Sequence, residues 1–173
     1  MALYKNGSFV EDTWRFLAAE DDVPSDGAIV LGKARFLAER EALAGRNAPL
    51  GIIIEPGEGL AGIEADIHRF ALVVLPFPKY TDGRAYSLAR MLREEHGYRG
   101  ELRASGNVLR DQVRFMWRCG IDALEVTHAG TIAALQAGAV SPVTHHYQPA
   151  GLEAVEHRLA GARPWLRRAA AHP

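Results

Sequence analysis

Cysteine is nearly absent from this chain: Cys119 is the only one among 173 residues. One thiol cannot close an internal disulfide, hold an iron–sulfur cluster or build a structural zinc site, and it suits a reducing cytoplasm. Long apolar runs are missing as well, since nothing approaches the ~18 residues that a membrane span needs. The opening MALYKNGSFVEDTW lacks the basic-then-apolar pattern of a secretory signal, so export is not expected. There is no CxxC, HExxH, P-loop, GxGxxG turn or GxSxG elbow. No metal site is therefore expected. No motif indicates a cofactor either, although a flavin or NADPH could still be borrowed. A net charge of −1 gives no broad basic surface for nucleic acid.

What the chain does have is alternation. Asn6-Gly7 sits between two short β-prone runs and supplies the positive φ of a tight turn, which predicts an N-terminal β-hairpin. The acidic, proline-containing AAEDDVPSDG follows as a loop. AIVL, LGIIIEP, ALVVLPF, ELRAS and IDALEVT then read as strands. Between and after them, KARFLAEREALAG, GLAGIEADIHRF, RAYSLARMLREEHG, VLRDQVRFMWRCG and TIAALQAGAV read as helices. Five strand-then-helix units predict an α/β fold with a mostly parallel sheet of about five strands. Eight units would be needed for a closed barrel, so an open sheet or an incomplete βα barrel is expected. Residues 1–173 read as one domain, with hairpin and loop over 1–27 and a terminal helix and basic tail over 151–173. An exposed sheet edge would favour a homodimer.

In such sheets ligands bind outside the carboxyl ends of the strands. Two loops there carry unusual charge for connectors: PKYTDGR after ALVVLPF, and SGN leading into VLRDQ. From Lys79 to Arg118 there are nine Lys/Arg against five Asp/Glu, which gives this stretch +4 and leaves −5 for the rest. That asymmetry favours an anionic ligand or an acidic partner. The candidate ligand residues are Lys79, Asp82, Gly83, Arg84, Arg103, Asn107, Arg110, Asp111 and Gln112. Lys79, Arg84 and Arg110 fall near helix starts, where a cation opposes the helix dipole unless an anion sits there too. Solvent, or pairing with Asp82 and Asp111, would relieve the same conflict. Asp82 or Thr81 reads equally well as the cap of one helix, and Asn107 as the cap of the next. Arg110, Arg114 and Arg118 recur every four residues, which reads as a solvated face or as a docking stripe for an acidic partner. Cys119 ends a helix, where the dipole disfavours a thiolate, so a nucleophilic role is not expected. His145 and His146 beside Tyr147 lack a carboxylate or cysteine at metal-ligand spacing.

The run from Phe77 to Val126 contains FP-x-Y-x-DGR, YS-x-AR-x-LR, VLRDQ and RCG-x-DA. It resembles a bacterial family of small proteins of unknown function, labelled as oxidoreductases of sulfite reduction and encoded near the sulfite reductase haemoprotein. Weaker likeness reaches back through LGIIIEP and KARFLAERE to the DxW at Asp12–Trp14. The resemblance implies a cytoplasmic role in assimilatory sulfur metabolism, with an oxidoreductase activity carried by the label alone. Where the family pattern has aspartate in G-D-V-L this chain has Asn107, which can cap a helix but cannot act as a base.

Three functions follow as expectations. The first is an accessory protein of assimilatory sulfite reduction that binds a small anion or the reductase through the loops at Lys79–Arg84 and Arg103–Gln112. The second is a non-catalytic docking module working through Arg110, Arg114 and Arg118. The third is a lyase or isomerase unrelated to sulfur, with Asp82 or Asp111 as base.

Overall fold

The computed structural model describes residues 2–140. The expected terminal helix over 151–173 and the His145–Tyr147 loop lie outside them. Strands β1 (Ala2–Lys5) and β2 (Ser8–Val10) form the expected hairpin. Its two-residue turn places Asn6 at φ 52° and Gly7 at φ 82°, the left-handed pair that matches the twist of the flanking strands.

All five expected strands are present: β4 (Ile29–Gly32), β5 (Leu50–Ile53), β6 (Leu72–Phe77), β7 (Glu101–Gly106) and β8 (Ala123–Val126). The strand count is larger than five, however. The hairpin joins the sheet by antiparallel pairing of β1 with β8, and a two-residue strand β3 (Arg15–Phe16) extends the other edge. The result is one eight-stranded sheet in the order β2-β1-β8-β7-β6-β5-β4-β3, parallel from β3 to β8.

That order forces a curl. Laid flat, seven strand spacings of ~4.8 Å would put β2 and β3 roughly 33 Å apart. The chain leaves β2 at Val10 and enters β3 at Arg15, a step of at most about 18 Å when fully extended. The sheet is therefore an incomplete barrel whose two edges are tied by residues 11–14, which cross its concave side.

Helices α1 (Lys33–Glu39), α2 (Arg84–Glu94), α3 (Arg110–Arg118) and α4 (Ala129–Gln136) cover the other side. Helix α1 is shorter than its sequence pattern, and Leu37 stays 40% exposed while Phe36 is buried. GLAGIEADIHRF forms the expected short helix as a 3-10 turn over Glu64–Arg69, entered from Gly62 at positive φ. Period-two alternation sorts each strand. Val73, Leu75 and Phe77 of β6, with Leu102 and Ala104 of β7, join Ala85, Leu88, Ala89 and Leu92 of α2 in the main core. Leu72, Val74 and Val30 point to the concave side, where Trp14 and Ile53 pack on them. A Cβ on Gly51 would lie 3.2 Å from the Trp14 ring, so the crossing segment rests directly on strand backbone there.

Candidate binding rim at the carboxyl ends of the strands

Because β4 to β8 run parallel, the loops that follow them share one end of the barrel. After β6, Asp82 takes three bonds from Arg84. Its Oδ1 accepts from the Arg84 backbone N–H (3.2 Å) and Nε (3.0 Å), and Oδ2 accepts from Nη2 (2.7 Å). The Arg84 side chain first, and its backbone N–H second, hold the Asp82 carboxyl down at about 2. The N-cap of α2 is Gly83, which makes no side-chain cap bond. Asp82 thus serves the helix start from one residue earlier than a cap would. Arg84 in turn spreads over the neighbouring loop, with Nη1 at 2.8 Å from where a Cβ on Gly57 would stand.

That neighbouring loop, which follows β5, is held from the other side by a residue the sequence reading passed over. Lys33, buried at the start of α1, donates to the carbonyls of Glu58 (3.1 Å) and Gly59 (3.0 Å). Glu58 Oε2 accepts the Glu55 N–H at 2.8 Å. The signal for Lys33 was the same as for Lys79: a lysine between a strand and a helix start.

The loop after β7 is tied to the one after β6. The Asn107 N–H donates to the Phe77 carbonyl at 2.7 Å. Gln112, 7% exposed, donates from Nε2 to the Tyr80 carbonyl (3.3 Å) and accepts the Leu109 N–H at Oε1 (3.3 Å). The N-cap of α3 is Leu109, so Asn107 is not its cap. Lys79, Asp82, Gly83, Arg84, Asn107, Arg110, Asp111 and Gln112 therefore share one rim.

On α3, steps of ~100° per residue put Arg110, Arg114, Arg118, Asp111 and Phe115 on one arc, opposite the buried Gln112, Val113 and Met116. Lys79, Arg110 and Arg114 are exposed and, among the described residues, stand in no ion pair. Phe115 is 46% and Tyr80 54% exposed. Phe115 lies 4.7 Å ring to ring from Tyr86, which lies 4.9 Å from buried Phe77. Burial pushes the Tyr86 hydroxyl up to about 12. Cys119 is buried, which raises its thiol pKa.

Arg103 does not belong to this rim. It points to the concave side, 1% exposed, with Nη1 on Asp12 Oδ2 (2.7 Å) and Nε and Nη2 on Glu101 Oε1 (2.9 Å each). Lys5 reaches Glu101 Oε2 at 2.5 Å. Both residues of the DxW thus have structural roles, Asp12 as the partner of Arg103 and Trp14 as packing. The signal for this cluster was charge at alternate positions in apolar strands: Glu101 and Arg103 in β7, and Glu125 in β8.

Residues 51–157, more than half of the chain, match the family model "Bacterial protein of unknown function (DUF934)". The chain belongs to DUF934. No curated protein matches it. The matched span includes the loops after β5, β6 and β7 and leaves out Asp12 and Lys33, so the DUF934 model covers most of the rim and only part of the concave cluster. Among the described residues no helix is long and apolar enough to cross a membrane.

In this DUF934 chain Glu125 flanks the cluster with its Oε2 buried and without a hydrogen-bond partner among the described residues. Burial raises its carboxyl above the ordinary 4.5, Arg103 opposes that rise, and Asp12 adds to it. A raised folded-state value means the native protein binds the proton more tightly than the unfolded chain does. Its contribution is then largest in acid and is lost as pH climbs from the unfolded value through the folded one. Glu125→Gln should accordingly be more stable than wild type near neutral pH, by about 1 kcal/mol, which is the usual scale for relieving an unsatisfied buried group. Urea melts should show that advantage vanish below about pH 4. A loss of stability at neutral pH would mean that Glu125 is ionised and paired.

Proposed function

We propose that this protein is a cytoplasmic accessory protein of assimilatory sulfite reduction, and that it works by binding at the rim. The observation that carries the reading is the interlocked pair of loops after β6 and β7, which leaves Lys79, Arg110 and Arg114 exposed and unpaired among the described residues. Loops already fixed before a ligand arrives lose little freedom on binding, which favours affinity. The link to sulfite reduction rests on the resemblance from Phe77 to Val126. Base chemistry has less support: an Asp82 carboxyl held at about 2 by Arg84 is a weak proton acceptor.

Thermal unfolding against sulfite, sulfate, phosphate, adenylyl sulfate, NADPH and FMN tests the reading. A ligand present at about 100 times its dissociation constant should stabilise the fold by about 2.7 kcal/mol. The gain should disappear in Arg110→Ala/Arg114→Ala. If no compound shifts the midpoint, or if the double variant keeps the shift, small-anion binding at the rim is wrong.

A further inference from the structure

We propose that Tyr80, Phe115, Arg110 and Arg114 form a docking surface for an acidic polypeptide segment that carries one apolar anchor side chain. The inference rests on the rim being a binding face and names its occupant.

Three observations select that occupant. First, Phe115 and Tyr80 are two of the five large apolar side chains left most exposed among the described residues. Phe115 is braced through Tyr86 to Phe77 in the core, and the Tyr80 backbone is held by Gln112. Rigid, exposed aromatic surface is what an anchor side chain needs, because little order is lost when it is covered. Second, Arg110 and Arg114 share the α3 arc with Phe115 and lie one turn apart, roughly 6 Å along the axis. That spacing is close to the ~6.7 Å between alternate side chains of an extended segment, so two acidic residues two apart can meet both arginines. A small oxyanion held by the two arginines would leave Tyr80 and Phe115 uncovered, whereas a peptide segment covers them as well. Third, Arg84, the rim cation nearest the loop after β5, is already neutralised by Asp82. The unpaired charge is thereby concentrated on the Tyr80–Phe115 side.

The test is fluorescence anisotropy on the full chain with two labelled probes: a peptide of alternating Asp and Glu with one central Phe, and the same peptide with Ser in its place. Wild type should bind the Phe peptide about tenfold more tightly than the Ser peptide, and the affinity should fall with added salt. Arg110→Glu/Arg114→Glu should weaken it by at least about tenfold. Phe115→Ser should remove the preference for Phe. Tyr80→Ser, in an exposed loop, repeats that readout if Phe115→Ser unfolds. Equal binding of the two peptides, or unchanged binding by the charge-reversed variant, overturns the proposal. Concentration-dependent dimerisation that the charge reversal abolishes also overturns it, because the occupant is then a second copy. The sulfite midpoint shift, measured on the same proteins, separates the readings. Peptide failure with a surviving shift removes the docking surface alone, and a missing shift with intact peptide binding removes the small-anion reading alone.

Discussion

Asp12→Asn should lower the unfolding free energy by about 3 kcal/mol, the scale for leaving a buried charge without its partner. The Arg103 guanidinium is 1% exposed and divides its bonds between Asp12 and a Glu101 that Lys5 also claims. With Asp12 neutral, two cations share one carboxylate beneath the crossing segment. Glu125 can offset part of the loss, because Asp12 is one of the groups that raise its carboxyl and Arg103 is one that lowers it. Arg103→Met should cost less: it leaves Glu101 with Lys5, and Asp12, 21% exposed, can turn to water. The double variant Asp12→Asn/Arg103→Met should then be more stable than Asp12→Asn alone, since it removes the stranded charge and fills the space with apolar volume. Urea midpoints of the four proteins decide it. Simple additivity would mean that the two side chains do not share one electrostatic account and that the crossing segment is held by Trp14 packing instead.

The cluster also marks where the sequence could and could not be read. Strands β4 to β8 were legible because both faces of a mostly parallel sheet are covered, so the strands stand out as apolar runs. The hairpin was legible from Asn6-Gly7, and α2 from the spacing of Ala85, Leu88, Ala89 and Leu92. Strand β3 was not, because two residues with exposed side chains, Arg15 and Phe16, carry no periodicity. Their pairing is imposed by the short span from Val10, a constraint visible only once the strand order is known. Arg103 was grouped with the loop that follows it because it is near in sequence. Alternation in ELRAS assigns it to the opposite face from Leu102 and Ala104. The rim was legible as a place, since parallel strands must end together. Its interlocking was not, because Lys33 and Gln112 act on the backbone of other loops and leave no mark on the residues they hold.

Gly106 is where that interlocking can be broken with a single methyl group. It ends β7 at φ +84°, and a Cβ there would stand 2.8 Å from the Phe77 carbonyl oxygen and 3.3 Å from its carbon. That same oxygen accepts the Asn107 N–H, so the added methyl would strain the residue and push on the bond that starts the next loop. Left-handed strain of about 1 kcal/mol and overpacking against backbone of about 1–3 kcal/mol together predict that Gly106→Ala loses roughly 2–4 kcal/mol. Gly83→Ala is the matched control, because Gly83 has φ −90° and open space around its missing Cβ. It should fall within about 0.5 kcal/mol of wild type. Hydrogen exchange should show faster exchange of the Asn107 amide in Gly106→Ala alone. Because Asn107 leads directly into α3, the same change moves Arg110 and Arg114 away from the Tyr80 loop, so binding at the rim should weaken even in the folded fraction. If Gly106→Ala unfolds near the wild-type midpoint, the carboxyl ends of β6 and β7 have slack, and a rim preformed for its ligand must give way to one that closes on binding.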